Sequence, residues 1–223
     1  MDAAFFDENG EFIIAPPGDY ELYADCTIKW HICTKCYGFN SGNPELLKSH
    51  SQNCNPKFNN IIYQENDYSI ALISTKSSDD ERKICEDLMT VEADENNMTD
   101  SVTSQKWRTR KYQVFLLLKK SAIIAVAVTQ KGKIRNETGQ METCALVSRI
   151  FTLYSQRRNH HMEKLLSIAL ETLGSNFSTV VFQRQFSKNG EACLTRIAKK
   201  QGLKSIRTFC PPWEDRIMPF PIP

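Results

Sequence analysis

From residue 112 onward, apolar and polar positions alternate in blocks that spell out a fold. Residues 112–118 and 122–129 are β-rich apolar runs separated by Lys119-Lys120-Ser121, which predicts a hairpin. A polar, glycine-containing loop is expected over 131–140 and a third strand over 144–154. Between 162 and 173 the period changes: Leu165, Leu166, Ala169 and Leu173 form one helical stripe, ended by Gly174. A fourth strand is expected at 179–182, a helix opened by Gly190 at 191–201, and a last strand at 202–209. This order predicts an α/β class, a mixed sheet with flanking helices.

The first half reads differently. Between Asp79 and Asp100 stand nine Asp/Glu against two Lys/Arg, and 92–104 has almost nothing to bury. Ile84, Leu88 and Val91 recur at helical spacing and predict at most a short surface helix. Residues 61–108 are therefore expected to be a partly disordered acidic linker, 1–29 an N-terminal extension, and 211–223, with five of the nine prolines, an extended strap. The imbalance runs through the chain: residues 1–100 hold 7 Lys/Arg against 19 Asp/Glu, and 101–223 hold 21 against 7. A basic second half suits nucleic acid, an acidic peptide, a phosphorylated ligand, or the chain's own acidic half.

At 223 residues with 41% apolar and 24% charged side chains, the sequence excludes collagen, coiled coil and wholesale disorder. Its longest apolar run, 122–128, falls well short of the roughly 20 residues of a membrane-spanning helix, so no membrane association is expected. The start, Met1-Asp2-Ala3-Ala4-Phe5-Phe6-Asp7-Glu8, lacks the basic, then apolar pattern of a secretory signal, and residence inside the cell is expected.

In a reducing compartment, 8 cysteines raise the question of metal before that of disulfides. Cys33, Cys36, His50 and Cys54 give C-x2-C-x13-H-x3-C, a spacing that fits tetrahedral zinc. The first pair sits on a tight knuckle, and residues 45–54 read as a short helix that brings His50 and Cys54 one turn apart. Four protein ligands leave no open position, so the zinc is expected to be structural, not catalytic. Cys85, Cys144, Cys193 and Cys210 lack partner spacing and read as small buried hydrophobes. The finger is expected over 30–60. Its helix carries Glu45, Leu46, Leu47, Lys48 and Ser49 where a base reader needs Arg, Asn or Gln, so at most weak, non-specific DNA contact is expected.

The basic turn from Gln156 to Met162, between a strand and a helix, is a phosphate-site candidate. A helix N-terminus offers unpaired N–H groups and a positive dipole end, and Arg157 and Arg158 add charge.

These motifs together resemble the ESCO/Eco family of sister-chromatid cohesion acetyltransferases, which have a GNAT fold preceded by a zinc finger. The residues that carry the resemblance are the finger with its Gly42-Asn43-Pro44-Glu45 stretch, the strand Val147-Ser148-Arg149-Ile150-Phe151, and the turn Arg157-Arg158-Asn159-His160-His161-Met162, in family order over about 30–209. The resemblance implies a GNAT-like mixed sheet with flanking helices at 109–210, preceded by a small ββα-type zinc finger. It also implies transfer of acetyl from acetyl-CoA to a lysine, in the nucleus, of the cohesin complex (its ATPase subunit) or another chromatin protein. Ser148 corresponds to the family's catalytic serine. Ile150, Phe151, Thr152, Arg157, Arg158, Asn159, His160, His161 and Met162 correspond to the acetyl-CoA site. There are departures. Cys54 replaces a histidine, His160 and Met162 replace small residues, and Phe182-Gln183-Arg184-Gln185 lacks the family's aspartate. Glu142 is then the nearest candidate base, with Glu137 behind it. The alternatives are a GNAT pseudoenzyme serving as an interaction module, a GNAT enzyme with another acceptor, and a DNA-binding finger protein.

Overall fold

In the computed structural model the described residues are 20–24, 29–95, 112–135, 139–153, 156–174, 179–183, 188–201, 205–210 and 213–220. The two apolar runs pair as their pattern requires: β6 (Gln113–Lys119) and β7 (Ala122–Arg135) form an antiparallel hairpin, its turn held by Lys120 at φ 56°. Val114 to Leu118 and Ala122 to Thr129 are all buried, which explains continuous apolar runs in place of alternation, because both faces of the sheet are covered. β8 (Met141–Thr152) joins β7 antiparallel, and β7 runs on to Arg135, so the first half of the expected 131–140 loop is strand.

From β8 the chain crosses to the parallel strand β9 (Thr179–Gln183) through α3 (His161–Leu173), and from β9 to the parallel strand β10 (Ser205–Cys210) through α4 (Lys188–Gln201). Parallel neighbours need such crossovers. α3 buries Leu165, Leu166, Ala169, Leu170 and Leu173 against β6, β7 and β8, and packs on α4, with Arg196 Nε donating to Glu163 Oε1 at 2.5 Å.

Two segments depart from the sequence reading. The 61–108 region is not a linker up to residue 95. β4 (Ile61–Glu65) and β5 (Tyr68–Ile73) form a hairpin whose second strand pairs with β6, and α2 (Asp79–Glu95) follows. Cys85, Leu88 and Met89 of α2 lie in the main core, so this acidic helix is amphipathic, not solvated all round. The rest of that region, 96–108, lies outside the described residues. The expected strap is strand β11 (Trp213–Phe220), antiparallel to β10 at the edge of the sheet, where proline is tolerated. Among the described residues the sheet has eight strands in the order β11-β10-β9-β8-β7-β6-β5-β4.

The N-terminal module is a three-stranded sheet of β1 (Tyr20–Ala24), β2 (Lys29–Cys33) and β3 (Asn40–Ser41) with α1 (Pro44–Asn53). The supposed extension 1–29 thus supplies a strand to the finger. Asn43 caps α1, its side chain accepting from Glu45 N–H at 2.9 Å, and Pro44 occupies the first turn. Ile32 and Tyr37 belong to the same core cluster as the large sheet, which docks the module on it. No described helix is long and apolar enough to cross a membrane.

Candidate functional site

Cys33 at the end of β2, Cys36 in the knuckle, His50 on α1 and Cys54 just past α1 present ligand atoms that all lie within 4.8 Å of one another. The spacing reading of the metal set therefore holds in three dimensions. The knuckle closes through Tyr37 N–H to Cys33 O at 2.8 Å and Cys33 N–H to Phe39 O at 3.0 Å. Lys35 Nζ donates to Ser51 O at 2.7 Å, tying it to α1. Phe39 stacks on the His50 ring at 4.1 Å, which fixes the imidazole with Nε2 3.5 Å from Cys36 Sγ. The pKa of the Cys36 thiol is pulled down to about 4 by the Cys33 thiol and, against burial, by His50, the Gly38 amide and Cys54, while burial and Cys36 push that of Cys54 up. Three sulfurs and one nitrogen in this arrangement fit zinc, and four protein ligands make it a folding element. Cys85 and Cys144 are buried and Cys193 half-buried, as small apolar residues would be.

The second site is at the C-terminal end of β8. The register with β7 steps from Thr129↔Val147 to Val128↔Arg149, so Ser148 is the extra residue of a β-bulge, and its Oγ donates to Val128 O at 3.2 Å. The register with β9 ends just there, at Val147↔Phe182, whereas that with β7 continues to Ala125↔Thr152. Beyond the bulge β8 runs on past the described end of β9 at Gln183. Ile150, Phe151 and Thr152 lie on this stretch. Phe151 is buried in the core, while Ile150 and Thr152 are half-buried, so the backbone of the stretch is its chemically available part.

The turn that follows leads into the N-terminus of α3. Arg158 has φ 68° and His160, the residue before α3, has φ 57°. His160 makes no side-chain cap bond, so the first N–H groups of α3 have no side-chain acceptor from that residue. Arg158, Asn159 and His160 are exposed. Arg157 is half-buried and donates from Nε to Thr152 O at 3.0 Å, bracing the turn against the strand end. Asn159 Nδ2 reaches Gln156 O at 3.4 Å, and Met162 packs against the core. Burial, helped by the Lys119 and Lys164 cations, lowers the pKa of His161, whose ring lies 5.5 Å from Tyr68.

Glu142 is not brought to this end. It lies six residues before Ser148, roughly 20 Å along an extended strand, and accepts a hydrogen bond from Thr179 Oγ1 at 2.9 Å. The reading of Glu142 as a base beside Ser148 is corrected on that ground. Glu137 lies outside the described residues, as does Arg184 after β9. What the sequence reading missed is the β4–β5 turn, which sets Tyr63, Glu65 and Tyr68 against the first turn of α3. Lys164 pairs with Glu65 and lies over both tyrosine rings, 4.9 Å and 5.5 Å from their centroids.

No protein-family model matches the chain, and no curated protein does. Among solved structures, the acetyltransferase domain of xEco2 bound to a K105-CoA conjugate is similar, with a TM-score of 0.52 at 11% identity over 63% of this chain and 93% of that one. The xEco2 acetyltransferase domain in a second structure gives 0.50 at 11% identity over 67% and 95%. The chain thus has a GNAT-like fold. Within that fold it is similar to the Eco type, in agreement with the sequence motifs and with the Cys3His group ahead of the sheet.

Proposed function

We propose that this chain is an acetyl-CoA-dependent lysine N-acetyltransferase with a structural zinc module. The observation that carries the reading is the bulge at Ser148, after which β8 runs past the described end of β9 and into the arginine-flanked turn before α3, whose N-cap His160 makes no side-chain cap bond. The end of β8 suits the amide-bearing arm of acetyl-CoA, and the turn of Arg157 to Met162 suits its pyrophosphate. The family resemblance names the acceptor, a lysine of a chromatin protein in the nucleus, the cohesin ATPase subunit first, and the role, establishment of sister-chromatid cohesion.

An ammonium cannot attack a thioester. The acceptor lysine, with an ordinary pKa of about 10.4, first gives up a proton. Its nitrogen then bonds to the acetyl carbon, the oxyanion takes an N–H donor from the strand edge beyond Ser148, and the C–S bond breaks to leave the thiol of CoA. β8 from Thr143 to Thr152 and all of β9 contain no carboxylate, so in this reading Ser148, which corresponds to the family's catalytic serine, relays the lysine proton through water. The same shortage of carboxylates favours a second reading, a GNAT fold that binds acetyl-CoA but serves as an interaction module. Incubation with acetyl-CoA and chromatin proteins, read by mass spectrometry, separates them. Acetylated cohesin supports the first reading, acetylation only elsewhere indicates a different acceptor, and binding without transfer supports the second.

A further inference from the structure

The metal module reaches the start of β7 at Ile123. Tyr37 follows the ligand Cys36, is 5% exposed, and has φ 55°, a left-handed conformation that costs a non-glycine residue about 1–2 kcal/mol. Its hydroxyl donates to Ile123 O at 3.0 Å, while Ile123 N–H donates to Thr34 O, inside the Cys33–Cys36 loop, at 2.9 Å. Both backbone groups of Ile123 are thus satisfied by the knuckle. They are available because the β6–β7 register steps from Leu117↔Ala125 to Leu118↔Ile123, making Ile124 a bulge residue. The chain of bonds continues from there. Ile124 O accepts Leu153 N–H at 3.0 Å, and Leu153 O accepts Gln156 N–H at 2.9 Å. Gln156 O accepts Asn159 Nδ2 at 3.4 Å. A continuous hydrogen-bonded path therefore runs from a residue adjoining a metal ligand to the turn that precedes α3.

The geometry points to Tyr37 as a positioning residue through which the zinc knuckle sets the conformation of the acetyl-CoA phosphate turn, so that metal retention and acetyl-CoA affinity are coupled. This rests on the acetyltransferase reading above. The knuckle keeps the left-handed Tyr37 only while Cys33 and Cys36 are held together. When they separate, the hydroxyl leaves Ile123 and two buried backbone groups lose their partners. The start of β7 then no longer fixes Leu153, and the turn has to be ordered at the expense of cofactor binding. Linkage requires the converse: acetyl-CoA bound at the turn slows loss of zinc.

The experiment uses the full zinc-loaded chain, wild type and Tyr37→Phe, with two readouts: zinc release to a chromogenic chelator with and without acetyl-CoA, and acetyl-CoA affinity by calorimetry. Acetyl-CoA is expected to slow zinc release from the wild type severalfold. Tyr37→Phe is expected to keep stoichiometric zinc, to lose that protection, and to bind acetyl-CoA about three- to tenfold more weakly, the scale of one buried hydrogen bond. Should the variant not fold, the wild-type release rates decide alone: protection supports the coupling and indifference overturns it. Normal acetyl-CoA binding that ignores both Tyr37 and zinc overturns this inference only. A wild type that binds no acetyl-CoA overturns the acetyltransferase reading and the coupling with it.

Discussion

Glu142 and Thr179 close the far end of the β8–β9 pair, the threonine hydroxyl donating to the carboxylate at 2.9 Å where β9 begins. The parallel register follows, from Ala145↔Val180 to Val147↔Phe182. Glu142 is a clamp at the start of that pairing, remote from the end at Ser148. Glu142→Gln should therefore leave kcat for acetyl transfer within about twofold, against the 10²–10⁴-fold loss expected on removing a positioned base. Steady-state kinetics of the variant check this, and a loss on the larger scale would place Glu142 in the chemistry.

The metal site holds more than its own module, because Tyr37 and Ile32 are buried with the large sheet. Cys36→Ser should abolish stoichiometric zinc and raise hydrogen exchange in residues 30–60 and in the first residues of β7, with the amides of β6 keeping their protection. Metal analysis together with exchange mass spectrometry tests both parts. Full zinc occupancy in the variant would contradict the ligand assignment.

His160 holds a left-handed φ of 57° where the resemblance places a small residue, and its Nδ1 lies 3.1 Å from Glu163 Oε1. His160→Gly relieves about 1–2 kcal/mol of backbone strain, offset in part by the extra freedom of glycine in the unfolded chain. It also clears the approach to the α3 N-terminus. Stability should stay within about 1 kcal/mol of wild type, and acetyl-CoA affinity should rise. Denaturant melts and calorimetry on the same variant separate the two effects.

At the start of α2, Glu81 Oε2 accepts from Ser78 N–H at 2.9 Å and from Ser78 Oγ at 3.0 Å, and Glu81 N–H donates back to Ser78 Oγ at 3.3 Å. Glu81 Oε1 accepts from Asn59 N–H at 2.8 Å. Burial raises the Glu81 pKa, yet the bonds from Asn59 and Ser78 outweigh it and hold the carboxyl below its usual range. A depressed folded pKa stabilises above the unfolded value, about 4.3, and that contribution is lost as pH falls below it. Ser78→Ala should cost about 1 kcal/mol at neutral pH, and less as the pH drops through that range. Urea melts at pH 7 and pH 3.5 test the sign.

That cap also shows what was legible in the chain. Ser78-Asp-Asp-Glu81 is a capping box in plain sequence, but the acidic run after it resembles a solvated linker until Cys85, Leu88 and Met89 are seen in the core. The β4–β5 hairpin was also signalled, by Asn66-Asp67 between apolar runs, and Asn66 takes the left-handed φ of 50° that such a turn asks for. β11 was hidden by its prolines, which rule out a central strand but not an edge. The four metal ligands and the stripe of α3 were readable because their spacing is local. The bulge at Ser148 was not, since it exists only as a mismatch between two strands; the six-residue gap from Glu142 to Ser148 was in plain sequence and became a separation of roughly 20 Å once both residues lay on one extended strand.

Titration of acetyl-CoA into the zinc-loaded chain by calorimetry tests the central claim most directly, with Arg158→Ala alongside the wild type. Arg158 is exposed on the turn and separate from the brace that Arg157 makes to Thr152. The structure predicts one acetyl-CoA per chain and an affinity at least about tenfold weaker in the variant, the scale of one charge-assisted contact to phosphate. No heat of binding in the wild type, or equal affinity in the two proteins, would contradict an acetyl-CoA site at the end of β8 and the turn before α3.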